Sequence, residues 1–185
     1  MKVEQPVPEF SRPIAVAAID RRGVNRVIEA SEAERRALAA RFDLVAVDRL
    51  VATVRLRAVN GGTAIRLDAR FDADVVQRCV VTLEPVPATV GEDFVLLYSR
   101  EDGGEEVELA FEDEVVEPLE GDAIDVGEAV AQELAIALDP YPRAPGATVP
   151  PLDDATDARH EGTSSQEGAF AALARARGVR RGRDV

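Results

Sequence analysis

Two runs of alternating residues joined by Asn60-Gly61-Gly62 constrain this chain more than any other feature. Before the turn, Leu50, Ala52, Val54, Leu56 and Ala58 alternate with Arg49, Val51, Thr53, Arg55 and Arg57. After it, Ile65, Leu67, Ala69, Phe71 and Ala73 alternate with Arg66, Asp68, Arg70, Asp72 and Asp74. Period two sends successive side chains to opposite faces of a strand, and Asn-Gly-Gly tolerates positive φ. The pattern predicts a β-hairpin with one apolar and one charged face. On the charged face, mixed Arg and Asp suit cross-strand pairing in solvent. The functional alternative is a surface for phosphate or an acidic partner, built from Arg55, Arg57, Arg66 and Arg70.

The flanking segments extend this to an α+β fold. Ile14–Ile19 reads as a short strand, Arg21-Arg22-Gly23 as a turn and Val24–Ala30 as a second strand. Ser31 and Glu34 form a capping box, and Ala37, Leu38 and Phe42 follow at helical spacing, ending the helix near Phe42. Cys79, Val81 and Leu83 alternate until Glu84-Pro85, which reads as a strand end. Phe94, Leu96 and Tyr98 mark another strand, 101–104 a loop, and Val107, Leu109 and Phe111 one more. Asp125, with Glu128 three residues on, opens a second helix in box-like fashion. Its stripe of Val126, Val130, Leu134 and Leu138 stops before Pro140. The expectation is a mostly antiparallel sheet, free to curl toward a barrel, with two packed helices and a flexible C-terminal tail. Residues 1–142 form the domain, 143–167 a Pro/Gly/Ser-rich mobile linker and 168–185 a basic tail with helical character.

Composition narrows the chemistry. Lys2 is the only lysine, so no phosphate-loop lysine or Schiff-base nucleophile is available beyond it. One Cys and one His, Cys79 and His160, cannot make a four-ligand zinc site, and His160 falls in the linker, far from the rigid geometry that a catalytic triad needs. No common catalytic or nucleotide-binding motif is present. The expectation is a protein without enzymatic activity and without a cofactor. A lone cysteine fits a reducing cytoplasm. No apolar run approaches the ~18 residues of a membrane span, and the N-terminus does not read as a signal peptide.

Charge is segregated. The chain carries −13 from 22 bases and 35 acids. Between Glu84 and Asp139 lie eighteen acids and one base, Arg100, so that segment alone holds more negative charge than the whole. Acidity of this kind keeps a domain soluble, or recruits a basic partner through Glu112, Asp113, Glu114, Glu120 and Asp122. It opposes nucleic acid across that face, and no spacing between Glu112 and Asp125 matches a metal loop. The basic candidates for RNA are the four hairpin arginines and Arg175, Arg177, Arg180, Arg181 and Arg183 of the tail.

Two stretches carry a resemblance. QRCVVTLEPV at 77–86 places Cys79, Thr82, Leu83, Glu84 and Pro85 in one signature. PLEGDAIDVGEAVAQELAIALDPYP at 118–142 places Leu119, Gly121, Ile124, Asp125, Gly127, Glu128, Glu133, Leu134, Pro140 and Pro142 in another. In this order they resemble the YceD family of large ribosomal RNA subunit accumulation proteins. Val126 departs from the family's usual Leu, and the C-terminal cysteines of some members are missing, so no zinc site is carried over. The resemblance implies a role in accumulation of 23S ribosomal RNA and large-subunit assembly, with no active site to transfer. The residues themselves read structurally: Cys79 as a buried small hydrophobe, Asp125 and Glu128 as caps, and Gly121 as a turn that a side chain would block. The expected partners are ribosomal RNA, a basic large-subunit ribosomal protein, or both, with no membrane and no DNA. The alternative is an acidic module that escorts a basic ribosomal protein without touching RNA. A metal-dependent nuclease using the acidic cluster is the third and least supported reading.

Overall fold

The computed structural model describes residues 8–99 and 115–148. The alternating runs form the expected hairpin, longer than the pattern alone showed: β3 spans Ala46–Val59 and β4 spans Ala64–Arg78. Leu50, Ala52, Val54 and Leu56 stand opposite Ala73, Phe71, Ala69 and Leu67, all buried. The turn takes positive φ at Asn60, Gly61 and Gly62.

Strand β2 (Val24–Glu29) pairs antiparallel with β3, and β5 (Pro85–Ser99) pairs antiparallel with β4 along its whole length. Pro85 therefore begins a strand and does not end one. Over 85–95 the other side of β5 has no strand partner among the described residues, so proline's missing N–H costs no ladder bond there. The short strand β6 (Val115–Pro118) joins β5 in parallel, giving the order β2-β3-β4-β5-β6. Among the described residues the sheet does not close into a barrel, and β2 and β6 are its edges there.

A separate two-stranded ribbon pairs β1 (Pro13–Ala15) with β7 (Ala123–Asp125). The expected strand at 14–19 is cut short because β7 offers only three residues, and Val16–Ala18 closes into a 3-10 turn. Helix α1 (Glu32–Arg41) starts at the predicted capping box: Ser31 Oγ accepts from Glu34 N, and Glu34 Oε2 accepts from Ser31 N. Helix α2 (Val126–Ala137) buries Val126, Val130 and Leu134 completely. Both helices cover one face of the sheet, where Leu38, Val130 and Leu134 join Leu50, Val54 and Phe71 in a single core. Burial of such side chains contributes about 1.5–3 kcal/mol each before entropy is counted. The opposite face keeps its charged residues.

Candidate functional site

The two signature segments, distant in sequence, fold into one structure. The stretch 79–84 is a tight connection between β4 and β5, not a strand: Cys79 N donates to Glu84 O at 2.8 Å and Leu83 N to Cys79 O at 2.9 Å. Closing it forces Leu83 to φ 64° and leaves its side chain 69% exposed, against the buried position that alternation assigned it. Thr82 Oγ1 donates to Glu84 Oε2 at 3.1 Å and ties the loop internally.

The chain leaving α2 lies against this loop. Gln77 Nε2 donates to Asp139 O at 2.8 Å, Val80 N to Pro142 O at 2.9 Å, and Ala144 N to Cys79 Sγ at 3.2 Å. The chain is thus held at Pro142, the last residue of the expected domain, and at Ala144, just beyond it. Cys79 is fully buried as expected, but it is more than a filler. Its sulfur also accepts from Val81 N and Thr82 N, both at 3.4 Å. These bonds, Ala144's foremost, hold the thiol down to about 6, outweighing the opposing effect of burial. Between loop and helix end lies a cleft of about 540 Å³ bounded by Phe42, Leu44, Leu83, Ile136 and Leu138, with Ile136 75% exposed.

The start of α2 is held by the N-terminal segment. Asp125 caps the helix by accepting from Gly127 N at 3.0 Å and Glu128 N at 3.1 Å, and it also accepts from Arg12 N at 2.7 Å and Ser11 Oγ at 2.5 Å. The expected reciprocal box is absent, because Glu128 turns to Arg41, which also pairs with Glu9. Position 127 requires glycine because a Cβ there would lie 2.2 Å from Phe10 O. Gly121 takes φ +78° with open space around it, so conformation and not crowding selects glycine there.

Beside α2 a second groove of about 260 Å³ carries the acidic character. Tyr98, Leu119 and Ile124 line it together with Glu117, Glu120, Asp125 and Glu128. Burial first, then Glu92 and Glu117, push Glu133 up. Burial, then Glu117, Asp125 and Glu133, push Tyr98 up to about 12. Glu117, Glu120, Asp122 and Glu133 have no ion pair among the described residues. The structure thus brings Glu120 and Asp122 to one end of the molecule. Glu112, Asp113 and Glu114 lie outside the described residues, as do Val107, Leu109, Phe111 and the arginines at 175, 177, 180, 181 and 183. No trio of His, Cys, Asp or Glu among the described residues is placed to hold a metal.

On the hairpin's outer face the arginines have carboxylate neighbours. Arg66 Nε lies 2.8 Å from Asp68, Arg57 lies 3.6 Å from the same carboxylate, and Arg70 contacts Asp93 at 2.7 Å and Asp72 at 3.4 Å. Arg55 is exposed with no ion pair among the described residues. Sequence reasoning overlooked Arg21, Arg22 and Arg26, all exposed and without carboxylate partners among the described residues. The double arginine in the turn was the available signal, and it was read only as a turn.

An open sheet with helices on one face and opposite charges at its ends defines this as an α+β domain whose conspicuous features are surfaces. A family model, "Large ribosomal RNA subunit accumulation protein YceD", matches residues 67–175. That is more than half of the chain and includes both signatures: the chain belongs to the YceD family. No curated protein and no solved structure matches it. No helix among the described residues is long and apolar enough to cross a membrane.

Proposed function

We propose that this chain is a non-enzymatic, cytoplasmic assembly factor of the large ribosomal subunit, needed for 23S ribosomal RNA to accumulate. It works by binding, and its direct partners are a basic large-subunit protein, ribosomal RNA, or both. The observation that carries the reading is the groove beside α2, where Glu117 and Glu120 stand without ion pairs among the described residues, with Glu133 near enough to Glu117 to feel its charge and Asp122 two residues on from Glu120. Glu133 is pushed up by burial first and then by Glu92 and Glu117, and a Lys- or Arg-rich segment would offset the negative charge of this end. Ribosomal proteins supply such segments, so the acidic end suits a basic client.

The test uses the full chain and its combined E117K, E120K and D122K variant, offered purified basic large-subunit ribosomal proteins. Retention of at least one protein by the parent and its loss by the variant, at unchanged melting temperature, is the expected result. Equal retention by both would overturn the assignment to this groove. Direct RNA contact without any protein client is the competing outcome, and the unpartnered arginines at the far edge of the sheet are the observation that favours including RNA.

A further inference from the structure

The acidic groove and the unpaired arginines lie toward opposite edges of one sheet. β6 forms one edge and leads into Glu120 and Asp122, whereas β2 forms the other, with β3, which carries Arg55, next to it. Three to four strand spacings of about 4.8 Å separate β6 from these two strands, roughly 14–19 Å, or about two Debye lengths at physiological salt. A polyanion meeting the β2 edge is therefore largely screened from the carboxylates that would repel it at the other.

That edge is built and not merely basic. Asp20 Oδ1 accepts from Arg22 N at 2.8 Å and Gly23 N at 3.0 Å, while Asp20 O accepts from Ala58 N at 3.1 Å. The turn carrying Arg21 and Arg22 is thereby fixed against the end of β3, so tightly that a Cβ on Gly23 would lie 2.6 Å from Leu56 O. One strand pair further on, Asn25 stands opposite Arg55, which places Arg55 on the outer face of the sheet, whereas Arg26 stands opposite buried Val54 and so belongs to the other face. Arg21, Arg22 and Arg55 are exposed. Asp68, the carboxylate in register with Arg55, is already shared by Arg57 and Arg66.

Resting on the RNA-binding half of the reading above, we propose that Arg21, Arg22 and Arg55 form the surface that contacts the phosphate backbone of ribosomal RNA. The paired arginines of the hairpin face are not that surface. A planar guanidinium matches phosphate with two parallel hydrogen bonds, and an arginine with no carboxylate partner gives up no ion pair to make them. Phosphate contacts of this kind position RNA without reading its sequence.

The test is binding of the full chain to transcribed 23S ribosomal RNA across a salt series, beside two variants. One combines R21A, R22A and R55A, and the other replaces the same three residues with lysine. Each phosphate contact contributes about 0.7–0.9 to the slope of log K against log salt, so the alanine variant should lose about 2 from it. The lysine variant should keep most of that slope, showing that charge and not fold was removed. An unchanged slope in the alanine variant would overturn this inference while leaving RNA binding itself standing. Failure of the parent to bind the transcript would overturn both, without touching the acidic groove. Displacement of the RNA by polyglutamate at equal charge would assign the edge to an acidic peptide and also overturn it.

Discussion

Cys79 Sγ accepts a hydrogen bond from Ala144 N at 3.2 Å, joining residues 65 positions apart and with them the two signature segments. The same sulfur takes two N–H groups from its own loop, so three backbone donors converge on one atom. This geometry explains why a small polarizable acceptor occupies the position, where alternation alone asked only for something apolar.

Stability should therefore respond to pH through Cys79. Its folded thiol is held at about 6, below the ordinary 9.0, chiefly by the Ala144 N–H. A depressed acid contributes stability that is complete above the unfolded value and is lost as pH falls through the folded one. Denaturant midpoints of the parent should rise between about pH 6 and 9, and those of Cys79→Ala should rise less. In the folded parent, iodoacetamide should label Cys79 slowly despite its acidity, because solvent does not reach it; mass spectrometry across a denaturant series reads this directly.

Gly127→Ala should destabilise, reversing the usual sign. Alanine in a helix normally gains about 1 kcal/mol over glycine, but here the new Cβ meets the Phe10 carbonyl, a backbone atom that cannot swing aside. A net loss of about 1–3 kcal/mol is expected from overpacking. A rise in melting temperature would show that the N-terminal segment yields.

Asp125→Ala should cost more than an ordinary cap. Loss of a helix N-cap costs about 0.5–2 kcal/mol, and this one also holds Arg12 N and Ser11 Oγ. Hydrogen exchange should show protection falling at the start of α2 and around residues 11–15 together. Asp125→Asn, which keeps an acceptor, should lose less.

Acid should loosen the contact between the N-terminal segment and α1. Arg12 pairs with both oxygens of Glu34, at 2.7 and 3.0 Å, and this bond above all lowers the Glu34 carboxyl from 4.5 to about 2. Its contribution is present above pH 4.5 and declines as pH falls toward 2. Glu34→Gln, which still accepts from Ser31 N, should flatten that part of the acid-unfolding curve.

Local features were legible because their causes are local. The period-two runs around Asn60-Gly61-Gly62 specified the hairpin and its buried face. Ser31 and Glu34 specified the start of α1, and the stripe from Val126 to Leu134 specified the buried side of α2. The residues at 79–84 misled because alternation cannot separate a strand from a loop whose one buried side chain is Cys79. Pro85 misled because whether proline ends a strand depends on having a neighbour, which only the assembled sheet supplies. Of the candidate site residues, the acids at 120 and 122 could be seen as a charge run, but not that Glu117, Tyr98 and Glu133 would join them.

The sequence by itself determined the α+β class, the hairpin register, both helix starts and the segregation of charge. These follow from periodicity, capping chemistry and composition, which act over a few residues. Only the tertiary structure decided which charges remain unpaired and where they stand. It matched Arg57, Arg66 and Arg70 with carboxylates, left Arg21, Arg22 and Arg55 exposed toward the β2 side of the sheet without carboxylate partners among the described residues, and brought the chain after α2 onto Cys79. Each of those outcomes depends on strand order and on contacts between distant residues, and no local pattern encodes how a chain closes such distances.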